Sequence, residues 1–352
     1  METPSPPSPA ALPARPLGKS GIDVPILGFG GAPLGDLYAK LDESVAIETI
    51  LTAIRHGVSF LDTSPLYGFG LSEHRIGAAL RHLPEQEVIL STKVGRVADP
   101  LHAPESRGIF AGGLPHSMSV DYSYDGAMRS IEQSLLRLGR DHIDIVLVHD
   151  LDRWTHGDEL EQHYQAAGSG CVPALRDLKE QKVIRAFGVG VNESDSALRF
   201  CKDFEPDVVL LAGRYSLLEQ PALLDLLPHA ARHEIGVILG GVFNSGILAT
   251  GNIPEARYNY GEPSEEIRNR VSSIEAVCRE FSIPLRRAAL QFVFGHPSVS
   301  SVVLGAVHAR EIVENCAEFR TAIPTAFWTR LCDENLISED APIPQDSSHD
   351  SH

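Results

Sequence analysis

Basic charge is scarce in this chain: 30 Lys and Arg stand against 47 Asp and Glu, a formal net charge of −17. That balance excludes nucleic acid and anionic membrane as broad partners, because both need clustered cations. An anionic ligand must therefore rest on local backbone N–H groups. Cysteine is sparse as well. Cys171, Cys201, Cys278, Cys316 and Cys332 are widely spaced, odd in number and without a CxxC pair, which reads as idle thiols in a reducing compartment. No apolar run approaches the ~20 residues that span a bilayer. The opening METPSPPSPAALPARP lacks the basic start and apolar core of a secretion signal. His142, His156 and His163 have no regular ligand spacing, so no metal is expected. What remains is a soluble, cytoplasmic protein with a flexible tail at 1–16, one domain at 17–338 and a disordered polar tail at 339–352, its oligomeric state left open.

What the chain does have is alternation. Short, apolar, β-branched runs stand at Pro25–Gly30, Val58–Asp62, Val88–Lys93, Ile143–His149, Ile184–Val191, Val208–Leu211, Gly236–Leu239 and Ser301–Leu304. Helical spacing follows each of them, at 44–55, 73–81, 124–138, 172–180, 194–202, 221–233, 264–281 and 309–319. Strict β-α alternation over this length predicts α/β architecture, a parallel sheet closed as a (β/α)8 TIM barrel. GFGGAPLG after the first strand invites a doubly wound reading, but Pro33 stands where the third glycine belongs and no helix follows at once. Pro16–Val24, with a Lys-Ser-Gly turn, predicts a hairpin closing the barrel floor. The long connections at 95–122, 150–171 and 240–263 all emerge on one face, where they shape a pocket.

Asp62, Lys93 and His149 end strands two, three and four, and Tyr67 follows Asp62 by five residues. A free tyrosine has a pKa near ~10, too high for a base at neutral pH. Lys93 is the neighbouring cation that would favour phenolate, with Asp62 holding the ammonium. His149 can hydrogen-bond the same substrate oxygen. The set suits hydride transfer at a carbonyl or lactol carbon.

The stretches LGKSGIDVPILGFGG, LDTSPLYG, STK, HIDIVLVHD, IRAFGVGVNES, GVILGGVFNSGILATG and SVVLGAVHAREIVEN resemble the aldo-keto reductase superfamily across almost the whole chain. The resemblance implies that Asp62, Tyr67, Lys93 and His149 form a catalytic tetrad beneath an extended nicotinamide dinucleotide. VDYSYDGAMRSIEQSL, LLAGRYSLLEQ and GGVFNSGIL resemble the aldose dehydrogenase branch, which includes L-fucose and D-threo-aldose 1-dehydrogenases and also a pyridoxal 4-dehydrogenase. The implied reaction is NAD-dependent oxidation at C1 of an aldose of the L-fucose, D-arabinose or L-galactose type, giving a lactone. Pyridoxal oxidation or general aldehyde and ketone reduction is the second enzymatic reading. A cofactor-sensing regulatory subunit is the non-enzymatic one.

The same resemblance places the cofactor against Gly30, Gly31, Asn192, Gly241, Phe243, Asn244, Ser245, Gly246, Gly305, Ala306, Glu311 and Asn315. Two positions depart from the pattern. A glutamine expected after the sixth strand is replaced near Ala212, and the aromatic expected at the end of the seventh is Gly240 or Gly241, leaving Phe243 to substitute. NADP-preferring relatives carry Lys and Arg where this chain has Gly305 and Glu311. A carboxylate there repels a 2′-phosphate and accepts from free ribose hydroxyls, so NAD is expected over NADP, with Arg310 as the counterweight. Tyr38, Phe69 and Trp154 are expected to wall the substrate, a small sugar or aldehyde. Arg214 either contacts sugar or cofactor or forms an ion pair on the rim.

Overall fold

The computed structural model describes residues 12–84 and 86–344. Most of the two expected tails lies outside the described residues. Strands β1 (Ala14–Pro16) and β2 (Asp23–Pro25) pair antiparallel. The barrel consists of β3 (Leu27–Gly30), β4 (Phe60–Asp62), β5 (Ile89–Val94), β8 (Ile143–His149), β9 (Ile184–Val191), β10 (Val208–Ala212), β11 (Gly236–Gly240) and β12 (Val299–Gly305), closed by pairing of β12 with β3. All these neighbours run parallel. The eight-stranded (β/α)8 barrel expected from alternation is the observed fold.

Period-two alternation decides which side chains reach the barrel axis. Phe60, Ile145, Leu147, Ala186, Val208 and Ile238 fill the interior, whereas Leu61, Leu90, Val146 and Val148 join the outer core beneath the helices. Extending the inward phase by two residues from Phe60, Ile89 and Leu147 arrives at Asp62, Ser91 then Lys93, and His149. The pattern that fills the core thus aims these polar groups at the barrel mouth. Leu17, Ile22 and Val24, from the β1–β2 hairpin, seal the other end.

The surrounding helices are α1 (Glu43–Arg55), α2 (Leu71–Leu80), α3 (Tyr124–Leu138), α4 (Arg153–His156), α5 (Leu160–Ser169), α6 (Cys171–Glu180), α7 (Ser194–Phe204), α8 (Leu226–Arg232), α9 (Ile247–Thr250), α10 (Glu265–Glu280), α11 (Leu285–Phe292), α12 (Ala309–Arg320) and α13 (Thr325–Asp333). Ser123 caps α3, its hydroxyl accepting from Gly126 N at 3.0 Å. Behind Lys93, the fully buried Glu73 accepts from Thr92 Oγ1 at 2.7 Å and from Arg137 Nε at 2.5 Å, tying α2, β5 and α3 together.

Two of the long connections carry secondary structure of their own: 95–122 holds the antiparallel pair β6 (Arg96–Asp99) and β7 (Ser117–Val120), and 150–171 holds α4 and α5. Two sequence expectations need correction. A boundary at 16/17 cuts through the hairpin, because β1 contains Pro16 and Leu12 is already buried. A boundary at 338/339 likewise excludes Ala341, which is buried, and Ile343, which packs on the core.

Candidate active site

Lys93 is held by all three of its donors. Its Nζ lies 2.8 and 3.0 Å from the Asp62 carboxylate oxygens and 2.7 Å from Thr63 O. Ser91 Oγ donates to the same carboxylate at 2.9 Å. Both ions are buried, so the pair satisfies itself where an unpaired charge would be costly. Tyr67 stands over this pair, its ring centroid 4.9 Å from Lys93 Nζ and 5.9 Å from the His149 ring.

The expected direction of the Tyr67 pKa is reversed. Burial, and then the charges of Asp62, Asp150 and Tyr260, push its phenol well above the usual value. With its three donors committed, the Lys93 ammonium has none left for the phenol. Burial, followed by Lys93 and Arg96, holds His149 well below the usual imidazole range, so the ring is neutral. Ser64 Oγ accepts from Leu66 N at 3.1 Å and stands 3.0 Å from His149 Nδ1. With Ser64 Oγ donating to Nδ1, the proton of the neutral ring sits on Nε2.

Tyr67, Lys93 and His149 share a cavity of about 390 Å³ with Asp150, Trp154, Asn192, Ile109 and Phe110. Ala32, Asn192, Ala212 and Tyr260 also line an adjoining groove of about 620 Å³, making one continuous depression at the mouth. The groove runs past Gly241, Phe243, Ser245 and Gly246 to Gly305, Arg310 and Glu311. A larger cavity of about 930 Å³ beside the floor hairpin, between Arg15, Phe294 and Pro342, carries neither imidazole nor carboxylate.

The profile of the aldo/keto reductase family matches residues 26–334. The chain belongs to the aldo/keto reductase family. It is 39% identical to a pyridoxal 4-dehydrogenase of Microbacterium luteolum over 92% of this chain and 98% of that one. It is 35% identical to a D-threo-aldose 1-dehydrogenase of a Pseudomonas species, over 90% and 96%. With an L-galactose dehydrogenase of Arabidopsis thaliana it shares 30% over 86% of each. The fold matches a holo-form aldo-keto reductase of Bacillus halodurans at TM-score 0.71, with 24% identity over 95% of this chain and 98% of that one.

Members of the aldo/keto reductase family use nicotinamide cofactors, and the groove here has features that fit one. Gly246 lines the groove at φ 106, with nothing within 4 Å of where a Cβ would stand and its N–H bonded to Phe243 O at 2.9 Å. Asn315, an expected contact, is buried and does not line the groove; its Oδ1 accepts from Arg286 Nε at 3.0 Å, and its Nδ2 has no partner among the described residues. Arg286 also pairs with Glu314 at 3.1 Å. Glu311 Oε2 accepts from Val307 N at 3.3 Å. Asn192, whose amide reaches Asp152 at 3.2 Å, faces both compartments.

Several expected contacts lie elsewhere. Phe69 lines neither compartment: it is buried, packing edge-on against Phe110 at 6.3 Å with Arg107 over its ring at 5.4 Å. Gly30 and Gly31 lie below the groove. A Cβ on Gly31 would meet Ser72 Oγ at 2.7 Å and Asp62 O at 2.8 Å, so this glycine serves close packing, while Ala32 and Pro33 line the groove. Ala306 is buried behind it. Asn244 lines the groove, but its carboxamide is engaged with Ser216 and Gly213. Phe243 packs on the core beneath Arg286 and does not reach the cavity around Tyr67. Tyr38 lines the groove beneath Arg257. Arg214 takes the rim ion pair, bonding Glu219 at 2.8 Å and Asn192 O at 2.8 Å.

Asp150, Phe110 and Tyr260 are among the residues of the depression that escaped the sequence reading. Asp150 directly follows His149, a signal present in HIDIVLVHD. Phe110 and Tyr260 sit on long loops with no periodicity to mark them.

Proposed function

We propose that this chain is an NAD-dependent aldose 1-dehydrogenase, oxidising a cyclic hemiacetal at C1 to its lactone. The observation that carries the reading is the convergence of Tyr67, Lys93 and His149 on a cavity continuous with the glycine-lined groove. His149 Nε2–H donates to the anomeric oxygen and orients it. Tyr67 takes the anomeric hydroxyl proton as C1 loses hydride. Lys93, clamped by Asp62, keeps a positive charge under the Tyr67 ring. NAD supplies the hydride acceptor when bound, together with a positive ring charge that favours phenolate nearby. Asn192, which faces both compartments, would hold the carboxamide.

Glu311 at the groove's end supports NAD over NADP, because a carboxylate repels a 2′-phosphate, whereas Glu314 is paired with Arg286 and Arg310 is the counterweight. The polar wall of Asp150 and Asn192 suits a hydroxylated ring. Oxidation of pyridoxal is the second reading, favoured by the Microbacterium luteolum relative and by the apolar side formed by Leu37, Leu66, Ile109 and Phe110. NADH formation with L-fucose, D-arabinose, L-galactose and pyridoxal separates the two. Tyr67→Phe should lower kcat by about 10²–10⁴-fold with the fold retained, the range expected for removal of a general acid-base. Near-wild-type turnover in that variant refutes the assignment.

A further inference from the structure

Asp150 stands one residue past the end of β8, with φ 54, its N–H bonded to Gly190 O at 2.8 Å. Its carboxylate lines the cavity of Tyr67 and His149. Oδ1 lies 3.3 Å from His149 Nε2 in poor alignment for a hydrogen bond, and Oδ2 lies 3.6 Å from Arg96 Nη2, too far for one. The side chain is 17% exposed. A carboxylate drawn out of water without short donors is costly. Burial pushes its pKa up to about 6 even with Arg96 nearby. The left-handed backbone adds strain that a glycine would lack. Such a group is completed by a donor arriving in the cavity.

The position of that donor follows from His149. A reacting oxygen held by Nε2–H brings an oxygen on the adjacent carbon next to Asp150 Oδ1, because vicinal sugar oxygens stand about one hydrogen-bond length apart. We propose that Asp150 is the specificity residue of this site, accepting a hydrogen bond from the hydroxyl on the carbon adjacent to the one oxidised. The enzyme then selects α-hydroxylated hemiacetals. The inference rests on the aldose reading and names the group that this reading leaves unrecognised.

The test compares kcat/KM for L-fucose and 2-deoxy-L-fucose, with NAD, in wild type and in Asp150→Asn. Loss of a hydrogen bond to a charged acceptor predicts that wild type prefers L-fucose by about 10- to 100-fold. In Asp150→Asn the preference should shrink to within about threefold, since the amide recognises the hydroxyl only weakly. The wild-type ratio is readable without any variant, so a poorly folding substitution does not protect the idea. Equal use of the two sugars by wild type overturns the assignment. So does a variant that slows on both sugars alike, which is the mark of a purely structural carboxylate. Turnover of neither sugar, nor of D-arabinose or L-galactose, by wild type refutes the aldose reading itself, and the Asp150 inference with it.

Discussion

Replacing Lys93 by methionine keeps the length of the side chain and removes its charge. Three donor contacts are lost, two to the Asp62 carboxylate oxygens and one to the neighbouring Thr63 O. The carboxylate is then left, fully buried, with Ser91 Oγ as its remaining side-chain donor. Breaking a buried pair from one side costs about 3–5 kcal/mol. At roughly 2 °C per kcal/mol for a large domain, Tm should fall by about 6–10 °C. Lys93→Met/Asp62→Asn should recover more than half of that loss, because the orphaned charge is gone. Neither variant should oxidise an aldose at a rate near wild type. The assay is thermal unfolding followed by circular dichroism, alongside NADH formation. An unchanged Tm in Lys93→Met, or a double variant no more stable than the single one, refutes the argument that Asp62 and Lys93 hold each other in the barrel mouth.

Because burial and nearby carboxylates raise the Tyr67 pKa, the base form is the minor one at neutral pH, and oxidation should accelerate about tenfold per pH unit through the alkaline range while pH stays below that pKa. A flat profile contradicts a proton-accepting Tyr67. On the acid side, kcat/KM should fall as pH drops through about 6, where Asp150 gains a proton among Arg96, Lys93, Asp152 and the neutral His149. Asp150→Asn should remove that limb, whereas its persistence assigns the limb to another group. Glu311→Arg, placing a second cation beside Arg310, should raise the NADP-to-NAD ratio of kcat/KM by about 10- to 100-fold. An unchanged ratio shows that Glu311 does not read the ribose.

The barrel was legible because strand alternation is a local signal. IDIVLVH and VILSTK carry in their own spacing both the inward phase and the polar residue that ends it. Asp62, Lys93 and His149 could therefore be grouped from sequence, and the structure brings them together with Tyr67. The charge state of Tyr67 was not legible. It depends on how deeply the phenol is buried and on the charges of Asp62, Asp150 and Tyr260 around it, which only the fold assembles. Phe69 was misplaced for a similar reason: its loop runs to the mouth, but Phe110 and Arg107, distant in sequence, hold its ring off the cavity. Arg214 lines the groove and takes the rim ion pair with Glu219, one of the two alternatives open from the sequence. Gly31 read as a cofactor glycine, yet it serves the close approach of Ser72 and Asp62.

The central claim is NAD-linked oxidation of a hemiacetal at the Tyr67 cavity. The most direct measurement incubates the wild-type protein with NAD and L-fucose, D-arabinose, L-galactose or pyridoxal, following NADH and the carbonyl product together. NADH should form in step with an aldonolactone from at least one aldose, faster than with pyridoxal. Turnover of pyridoxal with none of the aldoses oxidised contradicts it.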